Sequence, residues 1–157
     1  MKILVDADSC PALARDLVLR AAVRTKTKAL FAANRNIPGI ENDYTEMLIC
    51  PAYEGAADDR LASLAKNGDL ALTRDIPLAA RLLEAGAAVL DDRGRVFTKD
   101  NIRERLSLRN FTVDLAESGY DYERNAEYGK RELKTFADSF DKLLTKLLTY
   151  NNPHKCR

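Results

Sequence analysis

The strongest constraint on the fold is a repeated alternation between short apolar runs and helical patterns. The runs predict strands over residues 3–5, 28–32, 46–50, 70–73 and 87–90. Apolar residues at helical spacing fill most of the intervals, notably 11–24, 56–66 and 78–85. This order is typical of an α/β protein with a mostly parallel five-stranded sheet and helices on both of its faces.

Composition indicates one globular unit. The chain has 157 residues, of which 46% are hydrophobic and 31% charged, which suits a single domain 1–157 with a substantial core. An amphipathic helix is predicted over about residues 130–148, packed on that domain by an apolar stripe that could instead form a homodimer seam. No apolar stretch approaches the length of a membrane span, so we expect a cytoplasmic protein without membrane contact.

Acidic residues recur where the predicted strands end. Those that directly follow a strand are Asp6, Asp8, Asp75, Asp91 and Asp92. Because the carboxyl ends of parallel strands meet at one edge of a sheet, we expect these side chains to lie close together. Asp58 and Asp59 open the helix after the third strand and would join them at that edge.

Carboxylates gathered in this way repel one another, by about 4 kcal/mol for a pair about 4 Å apart near a protein surface. A divalent cation such as Mg²⁺ or Mn²⁺ would compensate that repulsion, so the pattern predicts a metal site. Structural interpretations stay open for each acid. Asp8, Ser9 or Asp75 could cap a helix, Asp58 or Asp59 could complement a helix dipole, and Asp91 with Asp92 could lie in a solvated turn.

Other kinds of site are disfavoured. The three cysteines, Cys10, Cys50 and Cys156, are far apart and form no C-x-x-C pair, and the single histidine is His154, which argues against disulfides and against zinc. Without a histidine to activate it, Cys10 is interpreted as a packing residue. The absence of a glycine-rich phosphate loop argues against a nucleotide cofactor.

Four ordered motifs resemble the YaiI/YqxD family of uncharacterised bacterial proteins. They are VDADSCP, AADDRLASLA, GDLALTRDIPLAARLLEAGAAVLDDRG and FTKDNIRERLSLR, and the resemblance covers about residues 1–109. It implies a PIN-like three-layer α/β/α fold, in which acids at strand ends hold Mg²⁺ or Mn²⁺. The implied activity is metal-dependent hydrolysis of phosphodiesters, with RNA preferred over DNA.

The resemblance also implies roles for individual residues. The acids expected to bind metal are Asp6, Asp8, Asp58, Asp59, Asp75 and Asp91. Asp6 and Asp75 are expected to be catalytic, and Arg74 and Arg93 lie near enough in the chain to contact substrate phosphates. Tyr53-Glu54-Gly55 stands where the family usually has Gly-Phe-Asp.

Two other functions are open. A non-catalytic PIN-like module could bind RNA or a protein partner through the basic C-terminal helix. Alternatively, the D-x-D sequence resembles haloacid-dehalogenase-type phosphatases, with Asp6 as nucleophile and Asp8 as general acid. Thr73 would then bind phosphate, and Asp91 with Asp92 would hold the metal. That family expects a lysine between the threonine and the last acids, and residues 74–90 contain none.

Overall fold

The computed structural model describes residues 1–117 and 127–151, the side chains of 109 and 111–117 excepted. Within these residues the strands are β1 Ile3–Asp6, β2 Ala29–Ala33, β3 Thr45–Ile49, β4 Leu70–Leu72, β5 Ala88–Leu90 and β6 Val96–Phe97. The helices are α1 Ala12–Thr25, α2 Ala56–Leu64, α3 Ile76–Glu84, α4 Lys99–Glu117 and α5 Lys130–Asn151. The polar stretch 120–129 is predicted from the sequence to be a loop, and its residues 120–126, together with His154 and Cys156, lie outside the described residues.

The strands form one sheet in the order β3-β2-β1-β4-β5-β6. Strands β1 to β5 pair in parallel, as predicted, and β6 pairs antiparallel with β5. The sheet therefore has six strands in the described residues, and the prediction of five missed the last one. Strand β6 has only two residues, too few to produce a recognisable alternation of apolar and polar side chains.

Successive residues of a strand face opposite sides of the sheet, which divides the core into two layers. Ile3 and Val5 belong to one cluster, which α1 and α5 cover. Leu4 lies between them in sequence and belongs to the other cluster, which includes residues of α2, α3 and α4. The structure thus confirms a three-layer α/β/α arrangement.

The position of any ligand crevice follows from this topology. The connection from β1 to β2 runs through α1 on one face, whereas the connection from β3 back to β4 runs through α2 on the other face. Connections that diverge in this way leave a crevice between the carboxyl ends of β1 and β4. Asp6 ends β1, and Thr73 follows β4 directly.

Among the described helices, none has both the length and the apolar character needed to span a membrane.

Helix α5 contributes large buried side chains to the first cluster. Phe136 and Phe140 are 0% and 1% exposed, and their ring centroids lie 5.4 Å apart.

We predict that Phe140→Ala lowers the free energy of unfolding by about 3–5 kcal/mol, because it leaves a cavity in a packed layer. Urea denaturation measures this loss. Tyr150→Ala, at a position 84% exposed on the same helix, should change it by less than about 0.5 kcal/mol; equal effects of the two substitutions would show that α5 does not pack as described.

Candidate functional site

A cleft of about 550 Å³ opens at the carboxyl edge of the sheet. The residues that line it are Asp6, Asp8, Ser9, Asn34, Gly55, Ala57, Asp58, Arg74, Asp75 and Ile76. We call this feature the acid cleft, because Asp6, Asp8, Asp58 and Asp75 all line it. Chain segments that are far apart in sequence thus meet where the topology predicts a ligand crevice.

Asp6 is the most deeply placed of the cleft acids. It ends β1, is 5% exposed, and its Oδ2 accepts hydrogen bonds from the hydroxyls of Ser9 at 2.8 Å and Thr73 at 2.9 Å. Burial raises the pKa of this carboxyl, the two hydroxyls oppose that rise, and the negative charges of Asp75 and Asp8 add to it. Two neutral hydroxyls therefore hold the carboxylate in a fixed orientation.

Thr73 connects the ends of the two central strands. Its hydroxyl donates to Asp6 and accepts a hydrogen bond from the backbone N–H of Asp75 at 3.0 Å. Asp75 in turn caps α3, since its Oδ1 accepts from the backbone N–H of Leu78 at 2.8 Å. The helix-cap interpretation of Asp75 is thus confirmed, and the same side chain also lines the acid cleft.

Asp58 lies in the first turn of α2 and is half-buried. Burial raises the pKa of its carboxyl to about 6, with further contributions from the charges of Asp75 and Asp6. Two acids on different elements thus act electrostatically on a third. The acid cleft concentrates negative charge, as the sequence pattern predicted.

Asp8 is exposed at the rim, where its Oδ2 accepts from the backbone N–H of Asn34 at 2.9 Å. The alternative in which Asp8 or Ser9 caps α1 is wrong, because the N-cap of that helix is Pro11 and makes no side-chain cap hydrogen bond. The Ser9 hydroxyl is used by Asp6 instead.

The cleft acids are not arranged as a closed ligand set. In the part of the chain that the structure describes, no group of three or more His, Cys, Asp or Glu side chains has the arrangement of a preformed metal site. Magnesium, however, commonly uses one or two carboxylates and completes its shell with water and substrate phosphates. The hard oxygen donors of the acid cleft fit a cation held in that open manner, and repulsion between its acids adds to burial in raising the pKa of Asp6 and Asp58.

Three of the predicted site residues have other positions. Asp59 is exposed on the neighbouring side of α2 and pairs with Arg81 at 2.9 Å. Asp91 is buried, and its Oδ1 accepts from the backbone N–H groups of Arg93 and Arg95 at 2.9 Å each, within the turn between β5 and β6. Asp59, Asp91 and Arg93 do not contribute to the described lining of the acid cleft.

Asp92 is also buried, 2% exposed, and its carboxylate pairs with Arg74. The alternative in which Asp91 and Asp92 lie in a solvated turn is therefore wrong. Arg74 lines the acid cleft as predicted for a substrate contact.

Comparison with known proteins decides the family. A family model described as "Uncharacterized BCR, YaiI/YqxD family" matches residues 4–146. The chain belongs to the YaiI/YqxD family. The match extends well beyond the region of about 109 residues whose motifs carry the resemblance, and includes most of α5.

Curated relatives agree with this membership. The chain is 46% identical over 148 residues to a UPF0178 protein of Treponema pallidum, which covers 94% of this chain and 84% of the relative. It is 44% identical to UPF0178 proteins of Treponema denticola and Myxococcus xanthus, over 94% of this chain and 94% and 97% of those proteins. No solved structure matches the chain, so the PIN-like character of this YaiI/YqxD protein stays a prediction.

Some site residues of this YaiI/YqxD protein were not expected from the sequence. Asn34 directly follows β2, so the strand-end argument that selected the acids would also have selected this amide. Gly55 lines the cleft, whereas Glu54 is exposed just before α2.

Cys10 belongs to the core, and burial, followed by the charge of Asp92, raises the pKa of its thiol to about 12. Its interpretation as a packing residue is confirmed.

The raised pKa of Asp58 predicts a pH dependence of stability in the presence of a chelator. The carboxyl ionises at about 6 in the folded protein against a reference value of 3.8. Between these values the folded state binds more protons than the unfolded state, so stability falls as pH rises through that window. Asp58→Asn removes this loss, and the variant should be more stable than the wild type above about pH 6, with the difference vanishing below about pH 4.

Urea denaturation from acid to neutral pH measures that difference. Solvent screening reduces its size, because Asp58 is only half-buried. Asp59→Asn is the matched control, one residue away and exposed. A difference between wild type and Asp58→Asn that does not change with pH would contradict the electrostatic account of the cleft.

Proposed function

We propose that this protein is a nuclease that hydrolyses phosphodiester bonds with the help of a divalent cation, and that RNA is its substrate. The observation that carries the proposal is the convergence of Asp6, Asp58 and Asp75 on one cleft at the point where the strand order reverses. Repulsion among these groups contributes to the raised pKa of Asp6 and Asp58. A cation that binds there would remove an unfavourable interaction that the fold already contains.

The residues that would hold the cation are Asp6, Asp58 and Asp75, with Asp8 at the rim. When bound, Mg²⁺ or Mn²⁺ supplies a Lewis acid that neutralises the charge developing on phosphoryl oxygens. Asp59 and Asp91 are left out of the proposed set, because Arg81 and the backbone of the β5–β6 turn already occupy their carboxylates.

The protein's own contribution is to orient these groups in advance. Two hydroxyls on different segments fix the Asp6 carboxylate, and the start of α3 fixes Asp75. Fixed dipoles of this kind need no reorganisation when the substrate arrives, which is where enzymes gain much of their advantage over water. Arg74 is the proposed contact to a substrate phosphate.

The phosphatase alternative has less support from the contacts. It requires Thr73 to bind a phosphate, yet its hydroxyl donates to Asp6 and accepts from the Asp75 backbone. It also requires late acids to hold a metal, whereas Asp91 and Asp92 are bound to the β5–β6 turn and to Arg74. A non-catalytic module that binds RNA or protein remains the competing proposal, and the following experiment separates the two.

We predict that the wild-type protein cleaves labelled single-stranded RNA in Mn²⁺ or Mg²⁺ and that EDTA abolishes cleavage. Asp6→Asn and Asp58→Asn should each lower the cleavage rate by about a hundredfold or more, because each removes a carboxylate proposed to hold the cation that neutralises charge in the transition state. Gel-resolved time courses on proteins purified in parallel measure these rates.

Asp59→Asn is the matched control and should retain the wild-type rate, since its side chain lies outside the acid cleft. Cleavage that persists equally in Asp6→Asn and Asp58→Asn would identify a contaminating nuclease and contradict the proposal. Binding of RNA without cleavage, unchanged by either substitution, would favour the non-catalytic module.

A further inference from the structure

At the wall of the acid cleft lies a partly buried ion pair for which the mechanism above gives no reason. Arg74 Nε and Nη2 donate to the two carboxylate oxygens of Asp92, both at 2.7 Å. The Asp92 side chain is 2% exposed and that of Arg74 is 39% exposed. The two residues follow different strands, β4 and β5. This bidentate geometry fixes the plane of the guanidinium as well as its position.

The backbone of Asp92 is held by the segment before α5, and the turn that follows Asp92 packs on α5 itself. The hydroxyl of Tyr128 donates to the backbone carbonyl of Asp92 at 2.6 Å. Two residues further on, Gly94 packs so closely against α5 that an added Cβ would lie 2.6 Å from the carbonyl oxygen of Thr135. The carboxylate that binds Arg74 is therefore part of a rigid turn.

Stability alone is a weak explanation for such a pair, because the desolvation of two charges offsets most of their attraction. The position of Arg74 suggests another role. Among the described residues that line the acid cleft, Arg74 is the one arginine or lysine. The pair with Asp92 uses the edge of the Arg74 guanidinium formed by Nε and Nη2. Further N–H donors of the guanidinium lie outside that edge.

The pair also keeps the arginine away from the cleft acids. Arg74 is adjacent to Asp75 in sequence, and an unanchored guanidinium at this position could fold onto Asp75 or Asp6. The Arg74 guanidinium pairs instead with the Asp92 carboxylate at 2.7 Å. Arg74 is thereby held at the wall of the acid cleft by a partner, Asp92, that lies outside the described cleft lining.

We infer that Asp92 is a positioning residue, which holds the Arg74 guanidinium at the wall of the acid cleft so that its outer N–H groups bind a substrate phosphate oxygen. This rests on the proposed function, which it deepens: the acids would hold the cation, and Arg74 would bind the phosphodiester at the same site. Asp92 acts only through Arg74, and Tyr128 supports Asp92 through its backbone.

The test compares Arg74→Gln, Asp92→Asn and the double variant with the exposed pair of Arg24 and Asp141, which lies on α1 and α5 at 2.9 Å. Steady-state cleavage of single-stranded RNA in Mn²⁺ gives KM and kcat. Fluorescence anisotropy of the same RNA in Ca²⁺ gives an affinity that does not depend on turnover. Thermal melting of each variant monitors the fold.

We expect each single substitution at Arg74 or Asp92 to raise KM and weaken RNA binding by about tenfold, the effect of losing one charged hydrogen bond. The change in kcat should be smaller. Because Asp92 acts through Arg74, the double variant should be no worse than either single one. Arg24→Gln and Asp141→Asn should leave both measurements unchanged.

Two further variants keep the test decisive if burial of an unpaired charge unfolds a single variant. The double variant leaves no unpaired charge, and Tyr128→Phe removes only the hydroxyl that supports the Asp92 carbonyl. Tyr128→Phe should raise KM with little change in the melting temperature. Unchanged KM and affinity in folded double and Tyr128 variants would overturn the inference.

The outcomes distinguish this inference from the proposed function. Wild-type cleavage with KM and affinity insensitive to Arg74 and Asp92 overturns the positioning role and leaves the nuclease proposal in place. RNA binding that depends on both residues, without cleavage, overturns the nuclease proposal and supports the positioning role. A wild type that neither binds nor cleaves RNA overturns both.

Discussion

The arrangement of this protein depends on a carboxylate kept at the end of a buried strand. The Asp6 carboxylate would become fully hydrated only if it moved away from the edge of the sheet. The two apolar layers that cover β1 prevent this movement. The fold instead supplies hydroxyl donors from Ser9 and Thr73. Hydrogen bonds to one carboxylate oxygen stabilise the ionised form only partly, so burial and the neighbouring acids still raise its pKa.

The protein treats its acids in two different ways. Three acids outside the acid cleft pair with cations: Asp92 with Arg74, Asp59 with Arg81, and Asp69, at the opposite edge of the sheet, with Lys2. Inside the cleft, Asp6, Asp8 and Asp75 are held by hydroxyl or backbone N–H groups. Arg74, which lines the cleft, is thus held at its wall by an acid outside the described lining, an arrangement that suits a site for a divalent cation and an anionic substrate.

Much of the fold and part of the site could be predicted from the sequence, and the reason is geometric. The strand-end argument depends only on the backbone, so it correctly gathered Asp6, Asp8 and Asp75 and placed the helices on both faces of the sheet. It could not separate Asp58 from Asp59, because adjacent helical residues point in different directions and only packing decides which one faces the cleft. The positions of Asp91 and Asp92, which lie between β5 and β6, also depend on packing. Their partners, a tight turn and Arg74, are tertiary contacts that no local pattern encodes.

We propose that the acid cleft holds a divalent cation, and paramagnetic broadening by Mn²⁺ would locate that cation on individual residues. In a ¹⁵N-labelled sample, substoichiometric Mn²⁺ should first broaden the amide signals of residues 6–9, 55–58 and 73–76, which surround the cleft. Asp6→Asn should abolish this pattern. Broadening spread over exposed acids such as Asp16 and Asp138, or a cleft pattern that survives Asp6→Asn, would contradict the account.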